Sequence, residues 1–308
     1  MNTMPTFFIV GAARSGTTSL EQYFRSHPEV YMAPRKETHY FAAHRFPAHF
    51  KGPGDDHLNS KIVRDETQYS QLFAHAAGKK AIGEASAFYL SVPGTAERIA
   101  QAVPDAKILI TLREPVARAY SAYMLLRRDN RETLGFAESL SLEAERKQQD
   151  FEPMWWYREL SLYSRQVKCY LDIFGVRQVK VLLYDELFAN PTSVLRDVFT
   201  FLGIRADVTI DTSVRYNTGG VPNSPGLYTL LHSFINNQSP LGKRIKSLVP
   251  LQMRVLWGSK VLERIVQPLP MASQIDSQTH AQLKAYFAED VRKLEDVLHR
   301  DLSEWYIP

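Results

Sequence analysis

The sequence predicts a three-layer α/β fold, in which a central parallel sheet carries helices on both faces. Short apolar runs alternate with segments of helical periodicity, as expected when helices join buried parallel strands. The clearest runs are FFIV at 7–10 and KILITL at 107–112. The first run leads into a glycine-bearing loop and then a helix, which predicts a P-loop-like strand, loop and helix that binds phosphate.

The remaining elements follow from hydrophobic spacing and from residues that start or stop helices. Strands are predicted at 7–10, 80–84, 107–112 and 180–184. Helices are predicted at 17–25, 95–102, 115–128, 161–174, 191–202 and 277–298. Prolines at 115 and 191 suit a first helical turn, and Gly203 suits a helix end.

The chain is expected to form a single domain over 1–308, because no segment has the composition of a linker. Residues 42–78 are polar and predict an insertion, mostly loop with a little helix. The region 221–275 is expected to be helical.

Charge and cysteine content narrow the class of protein. The chain has 308 residues, with 37 Lys and Arg against 33 Asp and Glu. This small surplus fits an enzyme with an anionic ligand better than a nucleic-acid-binding protein, so no nucleic-acid partner is expected. The single cysteine, Cys169, excludes an intrachain disulfide and is typical of a reducing compartment. With no signal-peptide or membrane-span pattern, we expect a cytoplasmic protein.

The sharpest local motif is GAARSGTT at 11–18, between a predicted strand and a predicted helix. Backbone N–H groups in such a loop can face a phosphate. The glycine spacing matches a P-loop, but Thr17 stands where the triphosphate-binding lysine would be, and the loop cation is Arg14. Metal-assisted triphosphate chemistry is therefore poorly supported, although a phosphotransferase using ATP and Mg²⁺ stays the alternative. A turn without a ligand is the other interpretation.

A second anion site is predicted where KILITL ends. Arg113 follows this strand directly, and Ser121 lies about two turns into the next helix. The carboxyl ends of parallel strands share one edge of a sheet, so Arg113 should lie beside the 11–18 loop. An arginine fork and a hydroxyl could hold a second phosphate. Arg118 is a competing candidate, or else part of an ordinary ion pair.

The motifs together resemble the PAPS-dependent sulfotransferases. Residues 11–18, followed by Leu20, His27-Pro28 and KETHYF at 36–41, are similar to the 5′-phosphosulfate motif of that family. REPVARAYS at 113–121 is similar to its 3′-phosphate motif. The match is nearest to the bacterial and heparan-type carbohydrate branch. Further similarity runs through 163, 180–204, 215–222 and 283–305, and it is weakest at 42–78 and 224–275.

The resemblance implies transfer of a sulfonyl group from PAPS to an acceptor hydroxyl or amine, with PAP released. It implies Glu84 as general base, with His39 as the competing candidate, and Arg14 as the cation on the bridging oxygen. The family usually has lysine at the position of Arg14. The donor-binding residues that it implies are Arg14, Ser15, Gly16, Thr17, Thr18, Lys36, Arg113, Ser121, Tyr163, Arg215, Thr218, Gly219 and Gly220.

Several of these assignments have alternatives. Lys36 either adds charge near the sulfonate or is solvated, and Tyr163 either touches the adenine end or belongs to the core. The aromatic run at 155–157 either stacks on an acceptor ring or packs in the core.

The acceptor is left open as a small molecule, a glycan or a lipid, and the region 221–275 is expected to lie on its side of the site. The stretch 239–270 holds six Lys or Arg against one acid, which suits peripheral membrane contact, an acidic glycan or a solvated helix face. No metal site is expected, because the histidines and the cysteine lack ligand spacing. A nucleotide-binding module without catalysis is a further alternative.

Overall fold

The computed structural model describes residues 3–214, 221–222, 266–267 and 275–307. Its main strands are β1 (Phe7–Gly11), β2 (Val30–Met32), β3 (Ala81–Ala85), β4 (Lys107–Leu112) and β5 (Val179–Leu183). They form one sheet in the order β2-β3-β1-β4-β5, and every neighbouring pair is parallel. The parallel sheet predicted from the apolar runs is confirmed, and the 11–18 loop leaves its central strand.

The six helices that were predicted with bounds lie close to them, and the structure adds shorter helices. The helices are α1 (Thr17–Arg25), α2 (Asp56–Asn59), α3 (Glu66–Gln71), α4 (Thr95–Ala102), α5 (Pro115–Arg128), α6 (Phe136–Ser141), α7 (Glu143–Gln148), α8 (Ser164–Phe174), α9 (Tyr184–Ala189), α10 (Pro191–Phe201) and α11 (Ser277–Leu298). Short 3₁₀ turns span Ala43–Arg45, Pro153–Trp155, Glu159–Ser161 and Ser303–Trp305. The helix predicted from 161 begins at Ser164, because residue 161 ends one of these turns.

Alternating residues of the strands face two separate hydrophobic clusters. Phe7 and Ile9 of β1 pack with the apolar faces of α1 and α10. Phe8 and Val10 point the other way, into a larger cluster that includes residues of α4, α5, α8 and α11. Helices therefore cover both faces of the sheet, and the predicted three-layer architecture is confirmed.

The insertion at 42–78 has the predicted character, with one 3₁₀ turn and the two short helices α2 and α3. It packs Phe46, Phe50, Leu58, Tyr69 and Phe73 into the larger cluster, so it is part of the core. The described part of 221–275 is a two-residue antiparallel pair, β6 (Val221–Pro222) with β7 (Val266–Gln267), where helix was predicted. The rest of that region, and the expectation of a single domain over 1–308, are untested.

In the described ranges, no helix combines the length and the apolar character that a membrane span requires.

Candidate active site at the carboxyl edge of the sheet

The strand order brings the motif segments to one edge of the sheet. The loop at 11–18, which we call the phosphate loop, follows β1, and residues 85–90 follow β3 on one side of it. Arg113 follows β4 on the other side. The segment Lys36–Glu37–Thr38–His39, which we call the KETH segment, comes a few residues after β2. All four therefore lie at the same edge of the sheet, and we call the region that they border the cleft.

Backbone contacts fix the phosphate loop to its neighbours. The Ala12 N–H donates to the Thr111 carbonyl at 2.6 Å, and the Thr111 hydroxyl donates to the Gly11 carbonyl at 3.0 Å. Gly16 caps α1 with φ of 89°, a conformation that favours glycine, and no side chain caps this helix. The N-terminus of α1 thus directly follows the phosphate loop, the arrangement in which helix ends bind phosphate.

Arg14 extends from the phosphate loop toward α5. Its Nε donates to Ser121 Oγ at 3.1 Å, which joins the two predicted anion motifs directly. Burial, together with the nearby charges of Arg128 and Arg113, lowers the pKa of Arg14 to about 10. The guanidinium is still charged at neutral pH, and three arginines gather at this end of the cleft.

Arg113 is held from two sides. Its guanidinium donates to the Arg14 carbonyl at 3.4 Å and lies 4.3 Å from the centre of the Tyr184 ring. Its own carbonyl accepts from Tyr163 Oη at 3.0 Å. Tyr163 is fully buried, which supports the core interpretation of this residue, and its hydroxyl positions Arg113.

The KETH segment places opposite charges next to the phosphate loop. Lys36 Nζ donates to Thr18 Oγ1 at 2.9 Å and lies 3.4 Å from Glu37 Oε1. The Glu37 side chain is 22% exposed, and its Oε2 accepts from the Ala87 N–H at 3.0 Å. Burial raises the pKa of Glu37. Lys36, His39, the Ala87 N–H and Lys61 together lower it by a larger amount, so the net pKa is below its usual value. Glu37 is therefore a carboxylate at neutral pH.

His39 is buried beside this carboxylate. Its Nε2 lies 3.3 Å from Glu37 Oε2, its Nδ1 has no hydrogen-bond partner, and its ring stacks on Phe88 at 5.3 Å. Burial lowers the pKa of His39 to about 4, so the imidazole is neutral at pH 7. The neutral tautomer that uses the Nε2 contact donates a hydrogen bond to Glu37 and orients it.

Glu84 lies behind the KETH segment in a closed polar network. Its carboxylate accepts from Ser86 Oγ at 2.6 Å, from Thr38 Oγ1 at 2.9 Å and from Tyr69 Oη at 3.2 Å. The residue is 0% exposed, and burial raises its pKa to about 7 despite these hydrogen bonds. The geometry does not favour the predicted role of Glu84 as general base, because the described residues leave this carboxylate without exposed surface.

Ser86 links that network to the backbone of the KETH segment. Its Oγ accepts the N–H groups of both Thr38 and His39, each at 3.1 Å. The N–H of Phe41 donates to Tyr89 Oη at 3.2 Å. Glu84 and Ser86 thus anchor the segment that carries Glu37.

Sequence reasoning missed Glu37 as a functional residue, although KETHYF was part of the quoted motif. The available signal was the spacing of Glu37 and His39, which stand two residues apart beside Lys36.

The remaining predicted residues fall into three groups. Ser15 and Thr17 are buried in the phosphate loop. The lid residues Arg215, Thr218, Gly219 and Gly220 lie outside the described residues. Trp155 and Tyr157 are buried in the larger cluster, which supports the core interpretation.

Arg118 is held by neutral oxygens in the part of the chain that the structure describes. It is fully buried, and it donates to Ser161 Oγ at 2.6 Å and to the Tyr157 carbonyl. Because these acceptors are neutral, the structure does not favour the ion-pair alternative for this residue.

Comparison with known proteins identifies the class. The sequence model of the sulfotransferase family matches residues 5–207, more than half of the chain. The chain therefore belongs to the sulfotransferase family, and the predicted class is confirmed over the ATP-dependent phosphotransferase alternative.

Solved structures agree with this assignment. A sulfotransferase from Alicyclobacillus acidocaldarius is 42% identical, with a TM-score of 0.78, and the match covers 99% of this chain and 100% of that one. A mouse sulfotransferase complexed with PAP is 15% identical, with a TM-score of 0.52, covering 96% of this chain and 88% of that one. The second similarity shows the shared fold alone.

Curated relatives include the human heparan sulfate glucosamine 3-O-sulfotransferase 3B1. It is 26% identical over 222 residues, which are 71% of this chain and 51% of that protein. The chain spans about half the length, or less, of the curated relatives it matches.

Proposed function

We propose that this protein transfers a sulfonyl group from PAPS to a hydroxyl or amine of an acceptor and releases PAP. The observation that carries the proposal is that two groups of cationic side chains border the same cleft, one at each end of it. Arg14, Arg113 and Ser121 form one end, and Lys36 with Thr18 forms the other. Because PAPS carries a phosphate at each end of its ribose, two separated cationic groups suit it better than a triphosphate site would.

The residues present fit this donor. The start of α1, which follows Gly16, places backbone N–H groups beside the Thr18 hydroxyl, and Lys36 adds a positive charge there. At the other end, Arg113 and Arg14 supply planar forks of the kind that hold phosphate oxygens in pairs. Ser15, Gly16 and Thr17 complete the phosphate loop.

PAPS supplies the sulfonyl group when bound, and PAP leaves with the electron pair of the broken sulfur–oxygen bond. Glu37 accepts the proton of the acceptor hydroxyl while the acceptor oxygen bonds to sulfur. His39 and the Ala87 N–H hold one oxygen of Glu37 in place. We therefore propose Glu37 as the general base, with His39 as the residue that positions it.

Glu84 has a different part in this proposal. Through Ser86 and Thr38 it holds the KETH segment, so it positions Glu37 without touching either substrate. A displacement of about 1 Å in a catalytic group can lower a rate by about 100-fold, which gives such an anchor a large indirect effect.

The acceptor that we propose is a hydroxyl of a carbohydrate. Support comes from the names of two curated relatives, carbohydrate sulfotransferase 15 and heparan sulfate glucosamine 3-O-sulfotransferase 3B1. A cytoplasmic location is part of the proposal, supported by the single cysteine. Peripheral membrane contact through 239–270 stays a prediction.

The proposal is tested first by ligand-dependent thermal stability. PAP, 5′-AMP and ATP with Mg²⁺ are compared on the wild type, on Arg113→Ala and on Arg177→Ala, an exposed arginine just before β5. At a concentration of one hundred times its Kd, a ligand stabilises a protein by about 2.7 kcal/mol. We expect stabilisation by PAP in the wild type and in Arg177→Ala, and its loss in Arg113→Ala.

Transfer itself is then measured with radiolabelled PAPS and a panel of sugars, phenols and lipids. Label in a sugar product supports the acceptor class. Stabilisation by ATP with Mg²⁺ and none by PAP would overturn the proposal, and PAP binding with no transfer to any class would favour a module without catalysis.

A further inference from the structure

We propose that Lys61, from the insertion at 42–78, is a positioning residue that acts through Glu37. Its ammonium favours the carboxylate form of Glu37, so that this base is ready to accept a proton while the negatively charged donor is bound. The inference rests on the proposed function. It adds to the site a residue from a part of the chain where the family resemblance is weak.

Backbone contacts place Lys61 beside the KETH segment. The Arg35 guanidinium donates to the Ser60 carbonyl, and the Val63 N–H donates to the Thr38 carbonyl at 2.9 Å. The two stretches of backbone therefore run side by side in the same direction. Lys61 lies between these two contacts, next to the KETH segment, and Val63 is buried in the larger cluster.

Lys61 is half-buried and lies among charged groups from three segments. Burial and the cations Lys36 and Arg35 lower the pKa of Lys61, and the carboxylates of Glu37 and Glu152 partly offset this effect. In turn, Lys61 is one of the groups that lower the pKa of Glu37. The two side chains are thus close enough for the charge of each to affect the other.

The charge of Lys61 is not committed to an ion pair. In the part of the chain that the structure describes, no carboxylate lies within ion-pair distance of its ammonium. Lys51 of the same insertion, in contrast, pairs with Asp150 at 2.7 Å. Lys61 therefore acts on Glu37 through space, over a distance at which a partly buried pair still interacts.

Glu152 is the other carboxyl group near Lys61, and its charge is already reduced. Burial raises the pKa of Glu152 to about 7, and Arg131 lies 2.5 Å from it. Glu152 is therefore only partly ionised at neutral pH. Glu37 is fully ionised there, so it is the carboxylate on which Lys61 mainly acts.

The other groups that face Glu37 do not replace this charge when the donor binds. Lys36 contacts Thr18 at the phosphate loop, at 2.9 Å, so the donor shares its charge. His39 is neutral at pH 7, because burial lowers its pKa to about 4. The negative charge of the donor disfavours a second anion nearby, and Lys61 offsets this effect from the side of the insertion.

The inference is tested first without turnover. NMR titration of isotope-labelled glutamate carboxyl groups measures the proton affinity of Glu37, whose signal is the one that Glu37→Gln removes. The proteins are the wild type, Lys61→Met, Lys61→Gln and Lys61→Arg, each free and saturated with PAP. Lys51→Met is the matched control, because Lys51 belongs to the same insertion and its side chain is 68% exposed.

With PAP bound, we expect both neutral variants to raise the proton affinity of Glu37 about threefold or more, because each removes one nearby positive charge. Lys61→Arg and Lys51→Met should titrate like the wild type. In transfer assays, the acid limb of the kcat profile should move to higher pH in Lys61→Met and stay in place in Lys61→Arg. At pH 8 the rate of Lys61→Met should remain within about threefold of the wild type.

Two results would overturn the inference. In the first, Glu37 titrates identically in the wild type and in a neutral variant that circular dichroism shows to be folded. In the second, Lys61→Arg titrates like Lys61→Met, so that shape and not charge is responsible. A wild type that does not bind PAP, or a Glu37→Gln variant that transfers at the wild-type rate, would contradict the proposed function instead, so the two failures are distinguishable.

Discussion

Two carboxylates at the same edge of the sheet, Glu37 and Glu84, have opposite surroundings. Glu37 is 22% exposed and lies beside the Lys36 ammonium, and its net pKa is below its usual value. Glu84 is 0% exposed and contacts hydroxyl groups, and burial raises its pKa to about 7. A carboxylate in a cleft can meet a substrate, whereas a sealed one can only shape the cleft. Exposure and charged neighbours therefore distinguish a carboxylate that can act in catalysis from one that has a structural role. The sequence motif alone does not distinguish them.

The largest expected effect is that of Glu37→Gln on transfer. Glutamine keeps the shape of the side chain and cannot take a proton, so kcat should fall by about 10² to 10⁴-fold. PAP affinity should stay within about threefold, because Glu37 faces the acceptor. The measurement is the transfer rate from radiolabelled PAPS at saturating acceptor. Glu84→Gln is the matched control, and its rate should stay within about tenfold of the wild type.

The second prediction concerns stability and pH. The raised pKa of Glu84 means that between about 4.5 and 7 the folded protein holds a proton that the unfolded chain has lost. Stability contributed by this group therefore falls as pH rises through that window, by about 3 kcal/mol in all. Glutamine cannot titrate, so Glu84→Gln should gain stability relative to the wild type from pH 5 to pH 8.

Urea unfolding of both proteins at several pH values measures that difference. Parallel stability curves for the wild type and Glu84→Gln would show that folding does not raise the pKa of Glu84.

The third prediction concerns the anchor of the KETH segment. Ser86→Ala leaves the N–H groups of Thr38 and His39 without their acceptor, which should cost about 1 to 3 kcal/mol of unfolding free energy. The rate should fall as well, because Glu37 loses its fixed position. Ser91→Ala, which removes only a 3.3 Å bond to the Phe88 carbonyl, is the control and should change stability by less than about 1 kcal/mol. Equal losses in both variants would contradict the anchoring role.

The smallest expected effect is that of His39 on the pH profile of the rate. The pKa of His39 is about 4, so this residue should add no limb to the kcat profile between pH 5.5 and 7.5. His39→Gln, which offers an amide donor to Glu37, should lower kcat only several-fold and keep the profile shape. A limb near pH 6.5 in the wild type that disappears in this variant would instead identify His39 as the base.

Much of the fold could be predicted from the sequence, because its signals are local. The strand Lys107–Leu112 and the helices Pro115–Arg128 and Ser277–Leu298 have their predicted bounds. Their apolar spacing, and proline at the start of one helix, specify them without tertiary information. Strand β2 (Val30–Met32) was missed, since three residues are too few to show a period.

The site was predicted in part, for the same reason. The phosphate loop, Arg113 and Ser121 follow from strand and helix positions and do meet in space. The roles of Glu37 and Glu84 could not be assigned, because the sequence around each residue does not show which carboxylate the insertion at 42–78 buries. Tyr69, from α3 in that insertion, covers Glu84, and this contact spans 15 residues of sequence.

The most direct test of the account is chemical rescue of truncated carboxylates. Glu37→Ala and Glu84→Ala are assayed for transfer from radiolabelled PAPS with and without added formate, which can replace a missing base only where solvent reaches the cavity. The account predicts that formate accelerates Glu37→Ala and leaves Glu84→Ala unchanged. Rescue of Glu84→Ala, with Glu37→Ala already as fast as the wild type, would contradict it.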